Sequence, residues 1–314
     1  MTGPIRSARG FWAGAAAAVL VAALLCFFVS YEYFFFAAYI VLLFVTLATA
    51  WNILGGYAGY VNFGTPAFFG VGSYTAVVLI QAAGAPLALQ IVAGAVMAGL
   101  LGLFAGALTL RLRGIFFAIA TVALIFILET VFINWRYVGG ATGLQLLRPE
   151  PLPPFKSYTT MLFFVMALLA VGSVAVARYI EGSWIGRGLR ALRDNEEAAE
   201  ANGVPTLKLK LFACTVMGAI MGAAGAPMPM YLSFVEPAST FNLNYTIGAL
   251  GGAIIGGTSH WSGPIIGAML VGTLQQIITV TISGEVNVLV LGVLLVLFVI
   301  VAPDGIIGWF RRKR

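Results

Sequence analysis

The sequence predicts an all-α polytopic integral membrane protein of about 8–10 transmembrane helices, some broken or re-entrant, with one charged cytoplasmic loop. Three observations lead there. Of 314 residues, 61% are hydrophobic and only 9% charged, whereas an ordinary soluble domain carries about 25% charged residues. The apolar residues fall in runs long enough to cross a bilayer, for which about 20 residues are needed, roughly 17–25 with tilt. The basic residues then fall almost wholly on one side of the alternation those runs define.

The runs lie near 11–30, 33–54, 62–82, 87–110, 114–134, 160–180, 209–234, 245–258, 264–283 and 286–302. The first, FWAGAAAAVLVAALLCFFVS, exceeds the usual apolar core of a signal peptide, and another run follows almost at once, so it is read as a retained helix. The third is entered through GGYAGYVNFGTPAFFGVGSY, residues 55–74, whose six Gly and one Pro resist regular helix. The eighth is short and Gly-rich and is expected to be broken or re-entrant. Counted from an inside N-terminus, the inner segments hold Arg6 and Arg9, Arg111 and Arg113, six basic residues between Arg178 and Lys210, and Arg311 to Arg314. Only Arg136, Arg148 and Lys156 fall outside, so both termini are predicted cytoplasmic. Topology thus accounts for the net charge of +6, and nucleic acid is not needed as a partner.

The chain reads as a single transmembrane domain, 1–314, with a charged inner loop at 181–210 and an outer loop at 135–159. Four prolines between Pro149 and Pro154 predict an extended, semi-rigid outer segment, either a stiff connector or a contact for an external partner. Cys26 and Cys214 lie inside apolar runs and are expected to be reduced and packed. His260 is the only histidine, so no multi-His metal site is available and no metal or cofactor is expected on this chain.

The loop EGSWIGRGLRALRDNEEAAEANGVPTLKLK holds ten of the chain's 28 charges. It reads as two short helices. The first, about 187–193, places Arg187, Arg190 and Arg193 on one side. The second opens with Asp194 or Asn195 as N-cap, and Asp194-x-x-Glu197 has capping-box spacing. Glu196 and Glu197 suit its first turn, Ala198, Ala199 and Ala201 favour helix with little bulk, and Gly203 followed by Pro205 ends it. A helix of small side chains can press closely into a groove on another protein; a solvated loop is the plainer alternative.

Glu197-Ala198-Ala199-x-x-x-Gly203 resembles the coupling motif of bacterial ABC importer permeases, which inserts into a cleft on a cytoplasmic ATPase subunit. The apolar-x-Leu-Pro continuation of that motif is absent. A second resemblance is to the permease subunit of the branched-chain amino-acid ABC importer family, LivM type. It rests on Asn52, Gly56, Tyr57, Gly59, Gly64, Phe68, Phe69, Gly70, Gly72 and Tyr74. It continues through GGATG at 139–143, the loop 186–204, and GGAIIGGTSHWSGPIIGAMLVGTLQ at 251–275. Pro66 stands where that family commonly has His, Tyr60 where Gln is frequent, and Glu129 one turn beyond the usual intramembrane acid.

The resemblance implies a transport subunit in the bacterial inner membrane with no nucleotide site of its own, and no GxxxxGK[ST] loop occurs. It implies two cytoplasmic ATP-binding subunits carrying ATP and Mg, a second related permease, a periplasmic substrate-binding protein and an amino-acid substrate. The coupling residues would be Arg187, Arg190, Arg193, Asp194, Glu197, Ala198, Ala199 and Gly203. Irregular backbone is tolerated in a membrane only where protein or water surrounds it, and broken spans expose helix ends suited to a zwitterion. Asn62, Gly64, Thr65, Pro66 and Phe68 are therefore candidates for the substrate path, or else only close-packing positions. Gly263-Pro264 echoes this segment. Glu129, an intramembrane carboxylate, is a further candidate, although its place toward the outer end permits a structural role. Urea or a short-chain amide is the alternative cargo. An ion-coupled transporter would need more intramembrane ionisable groups than Glu129, and no residue constellation supports an enzyme.

Overall fold

A bilayer core offers no water to an unpaired backbone group, so each apolar run closes its hydrogen bonds within itself. The computed structural model describes residues 8–110, 112, 114–281, 284–301 and 305–312; of the topological charges, Arg6, Arg111, Arg113, Lys313 and Arg314 lie outside them. The chain is a polytopic, almost wholly α-helical membrane protein. Seven helices among the described residues are long and apolar enough to cross a membrane. They begin with α1 (Ala8–Phe28), α2 (Glu32–Leu54), α3 (Thr65–Ala83), α4 (Leu87–Thr109) and α5 (Ile115–Asn134), and continue with α6 (Tyr158–Gly182).

Between α5 and α6 the connecting loop opens with two 3-10 turns and β1 (Leu144–Gln145). The proline segment is not extended throughout, as the sequence suggests. It turns at Pro153–Pro154, where the Phe155 amide donates to the Leu152 carbonyl at 3.0 Å.

After α6 come α7 (Trp184–Asp194) and α8 (Glu196–Ala201), then α9 (Thr206–Gly225), the seventh long helix. Pro227 ends its regular run, and α10 (Met228–Leu232) carries the chain to β2 (Phe234–Val235), which pairs antiparallel with β1. Arg148 fastens that end of the bundle, donating from Nε to the Met230 carbonyl at 3.0 Å and from Nη2 to Tyr231. The expected broken eighth segment is present. It consists of α11 (Pro237–Thr240) and α12 (Asn244–Gly256), and 13 residues are too few to cross a bilayer alone. The chain ends with α13 (Gly263–Thr281), α14 (Gly284–Val301) and α15 (Gly305–Arg312).

Helix α2 is central: Tyr39, Leu43, Leu47 and Trp51 are fully buried on one stripe, and α6, α9, α12 and α13 surround it. Helix α1 is a packed element, with Ala22 and Cys26 against Phe35, Phe163 and Ala167. Both cysteines are free and buried, as expected. A tight seam, α3–α4–α9, is built on glycine. A Cβ at Gly72 would overlap the Gly222 backbone, and one at Gly222 would overlap Ala98 and the Gly94 carbonyl. Helix α5 sits at the rim, burying Phe117, Thr121, Ile125 and Phe132 on one stripe while Ile115, Phe116, Ile119, Phe126 and Ile127 face outward.

Candidate functional site

Two features converge at one end of the bundle: the charged helix pair and the irregular segment between α2 and α3. Ser183 caps α7, its Oγ accepting from the Gly186 amide at 3.4 Å. The helix begins at Trp184, earlier than the predicted 187, because this cap lies four residues upstream. Asn195 caps α8, its Oδ1 accepting from the Ala198 amide at 3.0 Å. The capping box expected from Asp194 to Glu197 is not formed, since Asp194 is the last residue of α7 and the cap lies one position later. Gly203 ends α8 with φ +80°. The Val204 amide reaches the Ala199 carbonyl at 3.0 Å and the Gly203 amide the Glu200 carbonyl at 2.9 Å, a complete Schellman arrangement.

Among the described residues no atom lies within 4 Å of a Cβ built at Gly203, so substitution there costs only backbone strain. Gly203→Ala is expected to cost about 1–2 kcal/mol for the left-handed conformation. The check is roughly tenfold faster amide exchange at Val204, with Gly203→Asn largely sparing it.

Ala199 is buried, whereas Glu197, Ala198, Glu200 and Ala201 are exposed. Asp194 and Arg187 are also exposed. Arg187 borders a groove of about 350 Å³ lined by Trp184, Gly188, Ala191, Val204 and Pro205. The three arginines do not form one free face. Arg190 turns back to the Glu181 carbonyl at 3.1 Å, and Arg193 donates from Nη1 to the Gly56 carbonyl at 2.7 Å.

The segment Gly55–Gly64 is irregular yet largely buried. Gly59 has φ +76° and lies against Arg193, where a Cβ would stand 3.0 Å from Arg193 Cγ. The Tyr57 hydroxyl faces Ala177 O at 3.4 Å and Glu181 Oε2 at 3.3 Å. Burial, reinforced by the Glu181 charge, pushes its phenol well above the usual tyrosine value. The Tyr60 hydroxyl donates to Glu196 Oε2 at 2.6 Å and accepts from Lys210 Nζ at 3.1 Å. Lys210 Nζ also reaches Glu196 Oε1 at 2.8 Å and the Leu110 carbonyl at 3.2 Å. Lys210 and Glu196 side chains are only 4% and 14% exposed.

Farther along, the Asn62 carbonyl accepts from Trp51 Nε1 at 2.7 Å, and Asn62 Oδ1 accepts from the Gly64 amide at 2.6 Å. The Phe63 amide donates to Thr121 Oγ1 at 3.1 Å, and its carbonyl accepts from Thr246 Oγ1 at 2.6 Å. Asn62, Gly64, Thr65, Pro66 and Phe68 are therefore brought together, all buried within this chain. Thr65 Oγ1 and both side-chain polar atoms of Asn52 are buried without a partner among the described residues. Pro66 sits in the first turn of α3, where a missing N–H costs nothing.

Glu129 does not join this group. It lies half-buried on α5, eight residues beyond Thr121, about 12 Å along the axis. His260 pairs Nδ1 with Ser262 Oγ at 2.7 Å and sets Nε2 4.0 Å from Glu181 Oε1. A larger apolar crevice, about 1000 Å³ between α1, α2, α6 and α13, contains none of these candidates. Size alone does not make it the site.

Sequence reasoning reads Lys210 only as a topological charge, Glu196 as a first-turn acid and Tyr60 as a departure from a motif. The signal available for Lys210 was its register. It shares the buried stripe of Thr206, Ala213, Met217 and Met221 on α9, where a solvated lysine has no place.

A family model described as the branched-chain amino acid transport system permease component matches residues 33–299. The high-affinity branched-chain amino acid transport system permease protein LivM of Escherichia coli is 26% identical over 300 residues, covering 87% of this chain and 70% of its own. The probable branched-chain amino acid transport permease protein LivH of Methanocaldococcus jannaschii is 29% identical over 169 residues, and the match spans about half of each chain, 51% and 52%. The ribose import permease protein RbsC of Haemophilus influenzae is 29% identical over 137 residues, 41% of this chain and 42% of its own. No solved structure matches.

Proposed function

The chain belongs to the branched-chain amino acid transport permease family, and from that membership we propose that it is the membrane-spanning subunit of an ABC importer carrying branched-chain amino acids into the cytoplasm. The observation that carries this reading is the family match over residues 33–299, within which the α7–α8 pair lies. The assembly would place that pair and both termini in the cytoplasm, at the bacterial inner membrane. Two ATP-binding subunits would hold ATP and Mg. A second, related permease would cover the outward apolar face of α5, and a periplasmic binding protein would deliver the amino acid. This chain would bind no nucleotide and would not be the ATPase.

The geometry suits that division. Helix α8 presents Ala198 and Ala201 outward between capped ends, so its backbone can approach a partner closely, and the groove beside Arg187 offers a concave counterpart. Asn202, exposed at the C-cap, marks the docking surface. An Asn202→Cys variant is expected to crosslink to an ATP-binding subunit, and Glu197→Lys on the same exposed turn to lower the yield about tenfold. Proteoliposomes holding the complex and its binding protein should take up leucine with ATP, insensitive to proton ionophores and competed by isoleucine and valine but not urea or ribose. Recovery of the intact complex without the crosslink, or uptake abolished by ionophore, overturns the reading.

A further inference from the structure

We propose that Tyr60–Gly64 is a rigid strut that carries displacement of the ATPase-docking helices to α5 and α12, with Tyr60 and Thr246 as the positioning residues at its two ends. This rests on the permease reading above and names what that reading leaves open: the link inside this chain between docking loop and membrane helices.

The strut is neither helix nor strand; it is defined by the side-chain bonds that hold it at both ends and along its length. Its ends are fixed. At the docking end, the Tyr60 hydroxyl is held between Glu196, the first residue of α8, at 2.6 Å and Lys210 on α9 at 3.1 Å. Arg193, in the last turn of α7, grips the Gly56 carbonyl at 2.7 Å and packs against Gly59. Any tilt of the α7–α8 pair therefore pulls directly on residues 56–60.

At the other end, Phe63 is bonded on both sides, its amide to Thr121 of α5 at 3.1 Å and its carbonyl to Thr246 of α12 at 2.6 Å. Helix α12 is the longer piece of the broken segment and packs on α2, while α5 is the rim helix, so the Phe63 anchor ties an inner helix to a peripheral one. The remaining strut bonds, Trp51 to the Asn62 carbonyl and Asn62 Oδ1 to the Gly64 amide, stiffen the span between the ends. Buried hydrogen-bond networks of this kind transmit because their partners have few alternative positions.

The test uses the whole complex in proteoliposomes with leucine as probe, measuring leucine moved per ATP hydrolysed. Tyr60→Phe keeps the ring against Phe117 (centroids 5.3 Å) and removes only the hydroxyl. Thr246→Val keeps the shape and removes the far bond. Each is expected to lower leucine per ATP about tenfold, the consequence of losing one buried, charge-assisted or short hydrogen bond, while ATP hydrolysis continues. Because the two bonds act in series, the double variant should be no worse than the poorer single, and Thr246→Ser should restore the ratio. An unchanged ratio in either single, or a double variant whose losses multiply, overturns the strut. So does a parallel fall in hydrolysis, transport and recovered complex, which marks the bonds as packing only. If the wild-type complex moves no leucine, valine or isoleucine, the permease reading itself fails, and the strut with it.

Discussion

Replacing Gly222 with valine is expected to leave almost no correctly assembled protein in the membrane. Three helices meet at this glycine. A Cβ there would overlap Ala98 Cβ and the Gly94 carbonyl on α4, and the neighbouring Gly72 on α3 already lies against the Gly222 backbone. Between helices in lipid there is no hydrophobic drive, so association rests on close packing and on what small residues allow. Valine would force α4 away from α9, and the lost contacts would not be replaced. Overpacking of a core by a methylene or two costs about 1–3 kcal/mol, and here the obstructing atoms are a backbone carbonyl and a Cβ, neither of which can rotate away, so the cost falls at or beyond the upper end. Monodisperse protein recovered by size exclusion in mild detergent is the measure. Gly172→Ala on α6 is the control, because no atom of the described residues stands within 4 Å of a Cβ there. Alanine's better helix propensity, about 1 kcal/mol, should leave recovery equal or higher. Wild-type recovery of Gly222→Val would show that the seam is looser than these distances allow.

That seam is also where sequence legibility stops. The runs of apolar residues, the charged loop, the helix end at Gly203 and the broken segment at 244–256 follow from local rules, because hydrocarbon leaves a backbone so few options. The glycines at 72, 94 and 222 look locally like helix weaknesses. Their meaning is a three-way contact between residues up to 150 apart, which no periodicity reports. The candidate site divides in the same way. Asn62, Gly64, Thr65, Pro66 and Phe68 cluster because they are nearly contiguous, whereas Glu129 stands apart because its depth on α5 is set by where that helix starts. The capping residue fell to Asn195 over Asp194 because α7 runs one residue longer than its arginine spacing suggests. Tyr60, Glu196 and Lys210 required the fold, since a lysine after a charged loop reads equally well as a flank of the membrane span.

The Lys210–Glu196 pair yields the sharpest stability test, because its two members are not equally buried. Glu196→Gln leaves the Lys210 ammonium, 4% exposed, with the Tyr60 hydroxyl and the Leu110 carbonyl but without the carboxylate that lies 2.8 Å away in the wild type. Lys210→Met removes the deeper charge, fits an apolar stripe beside Ala213 and Met217, and leaves a carboxylate that is 14% exposed and can recruit water. Breaking a buried pair from one side costs about 3–5 kcal/mol, chiefly through the charge left behind. Glu196→Gln should therefore approach that range and Lys210→Met fall well below it. In thermal unfolding followed in detergent, the expectation is a fall of about 10 °C for Glu196→Gln and about half that for Lys210→Met. The double variant should be more stable than Glu196→Gln alone, since it no longer strands an ammonium. If Lys210→Met proves the more damaging, or the two losses simply add, then the lysine is held by its neutral partners and the pair is incidental. The ordering matters beyond stability. A lysine retained at a buried position where methionine would be tolerated is there for its charge, and the charge holds the first turn of α8 to the end of α4 and the base of α9.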